Sequence, residues 1–302
     1  MTYDIIVVGG GPAGLTAAIY ARRANKSVLV IDKGAFGGQI TFSPKVENIP
    51  GFKALSGNEF ADQLVDQALY QGVEFECCEV LGVLDGSIKT VRTDSGDFEA
   101  KAVILATGAK HRLLGVPNEE NFIGSGISFC AVCDGAFYKD QVVGVVGGGN
   151  SALQEALLLS ELAKKVYVIQ NFDYLTGEKK LADQIYAKEN VEVLLGTVVS
   201  EILGKDEFAG ARLQKVSDGT LSDLSLDGLF VAIGLVPQNE NFRDIIDLDG
   251  RGYADTDETM LTRTPGVFVA GDCRRKKIRQ VTTAVSDGAV AALAACDYID
   301  NL

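Results

Sequence analysis

The chain has 302 residues, enough for about two domains that each bury a core, and its 47% hydrophobic and 23% charged content is ordinary for a globular protein. A formal net charge of −13 argues against nucleic acid as a partner. No apolar run approaches the ~20 residues of a membrane span and the first residues lack signal-peptide character, so a cytoplasmic protein with no membrane contact is expected.

In chain order, residues 4–8 (Asp-Ile-Ile-Val-Val) predict a buried parallel strand. Gly9, Gly11 and Gly14 follow as G-x-G-x-x-G, with Pro12 and Ala13 inside the fingerprint. Residues 15–24 read as a helix and 27–31 as a second strand, which Asp32 ends. A lone glycine fingerprint is weak, whereas strand, glycines, helix, strand and terminal acid in that order is a specific signal for a dinucleotide fold. The first glycine makes the tight turn, the second admits a pyrophosphate to the helix amino end, and the acid takes ribose hydroxyls. A further apolar strand at 103–106 runs into Thr107-Gly108.

Next comes Cys130-Ala131-Val132-Cys133-Asp134. Of the six cysteines only Cys130 and Cys133 have the spacing of a redox pair; Cys77-Cys78, Cys273 and Cys296 read as small hydrophobes. With His111 as the single histidine, a zinc site lacks ligands and no metal is expected. The opening plan then repeats: a strand at 142–146, Gly147, Gly149 and Ala152, a helix to about 163, a strand at 166–169, and a later strand ending in Gly234. A repeat at this scale predicts an α/β protein with two Rossmann-like, three-layer nucleotide-binding domains. The remainder from 244 is too short for another domain: a strand at 267–270 meets Gly271-Asp272, and a helix from about 282 closes the chain. Between them Arg274-Arg275-Lys276-Lys277-Ile278-Arg279 places five positive charges within six residues.

These residues resemble the low-molecular-weight thioredoxin reductase family over essentially the whole chain. The matching stretches are 9–14, Gly37-Gly38-Gln39, Glu47-Asn48-Ile49-Pro50-Gly51, 106–108, 130–134, 147–152 and 271–280. The resemblance implies a fold of the FAD/NAD(P)-binding disulfide reductase type, with FAD on a discontinuous domain, 1–112 with 244–302. It places the redox disulfide on a middle domain, 113–243, that rotates to present the cysteines to flavin or to protein substrate. It implies a homodimer and flavin-side contacts at Gly9, Gly11, Pro12, Ala13, Gly14, Asp32, Lys33, Gly38, Gln39, Asn48, Thr107, Gly108, Gly271, Asp272, Arg279 and Gln280. Cys133 is then the flavin-proximal sulfur, Cys130 attacks the disulfide of thioredoxin, and Asp134 is the acid–base partner, with a cap or turn role for Asp134 as the alternative. His111 reads as an ordinary loop residue.

One departure stands out. The offset that carries Gly9 to Asp32 carries Gly147 to Gln170, which is no carboxylate for a ribose. NADPH-dependent members have a His-Arg-Arg run and another arginine four residues later; here those positions are Gln170, Asn171, Phe172 and Thr176, with Lys179 and Lys180 the nearest substitutes. Each charge-assisted hydrogen bond lost is worth roughly 1.5–3 kcal/mol. The absence is similar to that in the pyridine-nucleotide-independent, ferredoxin-dependent flavin thioredoxin reductases of anaerobes, whose second nucleotide fold is a scaffold. The resemblance therefore implies reduced ferredoxin as donor, docking at Arg274, Arg275, Lys276 and Lys277, or else a solvated loop there. Three alternatives stay open: a working NADH or NADPH site at 147–152, an FAD-dependent dithiol oxidase using oxygen, and a flavin-bound sensor without turnover.

Overall fold

The computed structural model describes residues 2–43 and 46–302. They form two compact units, one holding the chain up to Ser43 with Ile49–Lys110 and Val236–Leu302, the other holding His111–Leu235 together with residues 46–48. Two expectations are corrected here. The chain rejoins the first unit at Val236 rather than 244, because Asn239 and Phe242 are buried in it. Asn48, expected in the first unit, groups with the second; its segment is anchored by buried Val46 while Asn48 itself is exposed.

The first unit is built on a seven-stranded sheet. Glu74–Cys77, Val28–Asp32, Thr2–Val8, Gly96–Leu105 and Val267–Val269 lie side by side and parallel. The strand Gly96–Leu105 shares its far edge between two partners. Its first half pairs antiparallel with Lys89–Thr93, which continues to Val80–Leu84, and its last three residues pair with Val267–Val269. Side chains alternate across a strand, so Ile5 and Val7 face one core and Ile6 and Val8 the other. Both faces are covered, which is why the opening run is apolar without alternation.

Helices Pro12–Arg23 and Val281–Asp300 cover one of those faces. The first begins earlier than its apolar periodicity predicts, because Pro12 takes the first helical position, where no amide hydrogen is needed. The two helices cross at Gly288, where an added Cβ would lie 2.1 Å from the Ala13 carbonyl oxygen.

The second unit repeats the plan with a five-stranded parallel sheet, in the order Val191–Leu194, Lys165–Ile169, Val142–Val146, Gly228–Val231 and Ile127–Ser128. Helix Asn150–Ser160 packs on one face, stopping short of the expected 163 because residues 161–163 turn. An antiparallel meander, Thr197–Gly204, Phe208–Lys215 and Leu221–Ser225, covers the other: Val199, Ile202, Ala211 and Leu213 pack with Val146, Ile169 and Leu229. Both units are thus Rossmann-like α/β domains. Among the described residues no helix is long and apolar enough to cross a membrane.

Replacing Gly288 with Ala should destabilise the protein by roughly 1–3 kcal/mol, the usual cost of overpacking. Urea unfolding measures it; an unchanged midpoint would show that the helices do not depend on this contact.

Candidate active site

Cys130 and Cys133 are joined as a disulfide, with Cα atoms 5.3 Å apart. The strand Ile127–Ser128 delivers the chain to the short helix Ala131–Asp134, which Cys130 caps: its Sγ accepts from the Cys133 amide at 3.2 Å. Val132, between the cysteines, is 62% exposed, so the turn carries an apolar tip at the surface. Ser128 holds the turn from both ends. Its Oγ accepts from the Cys130 amide at 3.1 Å and donates to Asp134 Oδ2 at 2.6 Å.

Asp134 Oδ1 is buried without a hydrogen-bond partner. Burial therefore pushes the carboxyl above its ordinary range, with the Ser128 hydroxyl pulling the other way. A second acid, Glu155 on helix Asn150–Ser160, accepts from the Ala131 amide and leaves Oε2 buried and unpartnered; burial pushes it up to about 7. His111, expected to be an ordinary loop residue, stacks on Phe129 immediately before the redox turn, with ring centroids 4.6 Å apart. Burial lowers it to about 4, so it is neutral near neutral pH. Burial thus favours the uncharged form of all three groups, Asp134, Glu155 and His111.

In the first unit the fingerprint glycines form a cradle. Gly9 has φ +108° and packs against the Ala106 carbonyl, whereas a Cβ on Gly11 would meet nothing closer than Gly38 Cα at 3.8 Å. Gly11 precedes helix Pro12–Arg23 with no side-chain cap and no acid in the first turn, leaving amide donors for an anion. Asp32, at its strand's end, accepts from the Gly10 amide at 2.7 Å and the Gly34 amide at 2.9 Å. Gly108 has φ +68° with no atom within 4 Å of an added Cβ, and Asp272 Oδ1 is buried and without a hydrogen-bond partner. An open diphosphate cradle, an acid at the strand end and an orphaned acceptor fit the FAD that the resemblance implies.

Other expected contacts are placed differently. Lys33 pairs with Glu79 at 2.8 Å, and Gln39 is exposed. Arg279 donates to the carbonyls of Asp272, Arg274 and Lys276 and lies 4.2 Å over the Tyr253 ring, so it braces the 272–276 loop. Gln280 caps helix Val281–Asp300. Asn239, which sequence reasoning missed, is wholly buried; it accepts from Thr107 Oγ1 and donates to the carbonyls of Gly252 and Cys273. It ties the Thr107-Gly108 turn to the Gly271-Asp272 turn.

The basic run is not one surface patch. It leaves Gly271–Cys273 with Arg274 in extended backbone and then bends at Arg275 and Lys277, and its side chains divide between interior and surface. Arg274 and Lys276 turn inward, with side chains 5% and 7% exposed, onto buried Asp287. Arg275 and Lys277 point outward, Arg275 pairing with Asp255 at 2.8 Å. Asp287 was also missed, although an acid in an otherwise apolar helix signals a buried partner.

At the second glycine turn, Gln170 is 4% exposed and folds onto Gly148, where an added Cβ would lie 2.5 Å from its Cδ; its Nε2 donates to the Tyr174 carbonyl at 3.3 Å. The exposed side chains that follow are Asn171, Phe172, Asp173, Tyr174 and Thr176, with Phe172 and Tyr174 stacked at 5.8 Å. No cation stands between Gln170 and Glu178; Lys179 and Lys180 are exposed at the start of the next helix.

Residues 3–288 match the model of the pyridine nucleotide-disulphide oxidoreductases. The chain is 41% identical to a thioredoxin reductase of Listeria monocytogenes, covering 99% of this chain and 95% of that one. It is 42% identical to a 34.2 kDa protein in the rubredoxin operon of Clostridium pasteurianum, covering 98% and 97%. Among solved structures, the thioredoxin reductase of Streptococcus pyogenes superposes with a TM-score of 0.95 at 42% identity, covering 100% and 99%.

The two shifted groups act on stability with opposite signs. Glu155 holds its proton up to about 7 when folded but to 4.5 when unfolded, so it costs stability as pH rises through that interval. His111 resists protonation down to about 4 against 6.5 unfolded, so it costs stability as pH falls between those values. Unfolding free energy followed against pH should lose Glu155's decline between 4.5 and about 7 with rising pH in Glu155→Gln, and His111's decline between 6.5 and about 4 with falling pH in His111→Phe; wild-type profiles in both would refute these placements.

Proposed function

Because the chain belongs to the pyridine nucleotide-disulphide oxidoreductases, and within them to the low-molecular-weight thioredoxin reductase family, we propose that it reduces thioredoxin at Cys130–Cys133 with electrons from reduced ferredoxin. We place it in the cytoplasm as a homodimer. Family members are FAD-binding flavoproteins, and FAD is the cofactor here. When bound, FAD supplies the conversion between single electrons, as ferredoxin delivers them, and the pair that a disulfide consumes. Gly9, Gly11, Pro12, Ala13, Gly14, Asp32, Gly108 and Asp272 would hold it.

On this reading, a reduced Cys130 thiolate attacks one sulfur of the thioredoxin disulfide and forms a mixed disulfide. Cys133 then closes the Cys130–Cys133 bond, and thioredoxin leaves as a dithiol. Asp134, kept above the ordinary carboxylate range by burial, holds the proton that this exchange moves. With ferredoxin near roughly −400 mV and thioredoxin near about −270 mV, the transfer is downhill by about 6 kcal/mol.

The observation carrying the choice of donor is the loop after the strand Lys165–Ile169. Where a 2′-phosphate clamp would stand, Gln170 is folded inward and the outward groups are Asn171, an aromatic stack, an acid and Thr176, none of them a cation. Exposed Lys179 and Lys180 favour the other reading, a nicotinamide-driven enzyme.

Two measurements test the donor and its docking. Under anaerobic conditions the flavin band should bleach, and thioredoxin should be reduced, with reduced ferredoxin but not with NADPH or NADH. Rapid bleaching by either nicotinamide would sink the ferredoxin reading, and oxygen-dependent turnover of a small dithiol without thioredoxin would favour an oxidase. Neutralising the two outward cations (Arg275→Gln with Lys277→Gln) should slow the ferredoxin-driven rate several-fold at low salt and little at high salt. An unchanged rate at low salt would exclude docking there.

A further inference from the structure

Lys276 occupies an unusual position. Its Nζ lies 2.9 Å from Asp287 Oδ2 and 3.4 Å from Asp272 Oδ1, with its side chain 7% exposed. Asp287 does not need it. Arg274 already engages both Asp287 oxygens, Nε to Oδ2 at 2.9 Å and Nη2 to Oδ1 at 3.0 Å, and the Gly271 amide adds a contact at 3.1 Å. Asp272 does need a cation. Its Oδ1 is buried with no hydrogen bond, and the neighbouring guanidinium of Arg279 is spent on loop carbonyls and on Tyr253.

We propose that Lys276 is a positioning residue for the cofactor: anchored on Asp287, its ammonium holds the Asp272 carboxyl in place for bound FAD. The proposal rests on the FAD reading above. Two buried cations, Arg274 and Lys276, balance two acids, Asp287 and Asp272. Removing Lys276 leaves Arg274 and Asp287 matched and Asp272 with Arg279 as its remaining cation. Burial raises the proton affinity of the Asp272 carboxyl above its ordinary range and Asp287 adds to it, while Lys276 and Arg279 oppose the rise. In Lys276→Gln the balance moves further toward the protonated acid, so FAD binding weakens on acidification at a higher pH than in the wild type.

The test is FAD release from the purified holoprotein, followed by flavin fluorescence. Lys276→Gln should raise the FAD dissociation constant about tenfold, through loss of the ion pair with Asp272. Lys276→Arg should keep most of the affinity, and outward Lys277→Gln all of it. With Asp272→Asn already present, Lys276→Gln should add almost nothing, since the two act as a pair. A wild-type dissociation constant in Lys276→Gln, equal losses in the Gln and Arg variants, or full additivity with Asp272→Asn would each overturn the proposal. A wild type that holds no FAD would overturn the cofactor reading as well.

Discussion

Both halves of this protein depend on one close approach: a glycine turn pressed against the end of a neighbouring strand. Gly9 has φ +108° and would put a Cβ 2.3 Å from the Ala106 oxygen; Gly147 has φ +131° and would put one 2.6 Å from the Ala232 oxygen. No side chain is tolerated at either place, in backbone terms or in space. That contact brings a strand end, a turn and a helix amino terminus together, which is what makes an anion cradle. The duplication extends further than the fingerprints. Gly37 donates to the Gly10 carbonyl at 2.7 Å, and Gly177 donates to the Gly148 carbonyl at 2.8 Å, so the loop after the second strand closes identically in each copy.

From that common frame the copies part company at a single side chain. In the first, Asp32 accepts from the Gly10 amide and stands at the mouth of the cradle. In the second, Gln170 takes the equivalent place and folds inward against Gly148. The second turn thus closes without the acid that the first turn uses.

Buried acids are handled in two ways. Around the disulfide, Asp134 and Glu155 each keep an unpartnered oxygen, and desolvation raises their proton affinity. Beside the Gly271-Asp272 turn, Asp287 is surrounded by donors and held below the ordinary carboxylate range despite its burial, chiefly by hydrogen bonds from Arg274 and Lys276. The first arrangement suits proton exchange with sulfur. The second suits a fixed charge that orients a cofactor.

Much of this was legible in the chain. Glycine fingerprints, apolar strands and the Cys130–Cys133 spacing each express a local requirement, such as backbone freedom, two-sided burial or a closable disulfide, and these stay close together in sequence. The meander over the second sheet escaped notice, because strands such as Thr197–Gly204 mix buried and half-buried positions without strict alternation. Ser128, Glu155 and Asn239 were invisible as well, since each matters only through a partner that the fold supplies: Asp134, Ala131 and Thr107. The basic run shows the boundary most clearly. Composition established five positive charges in six residues, and by itself it pointed to a surface patch. Only the tertiary structure decided that Arg274 and Lys276 turn inward, because Asp287, on the helix Val281–Asp300 that follows the run, waits on one side of it.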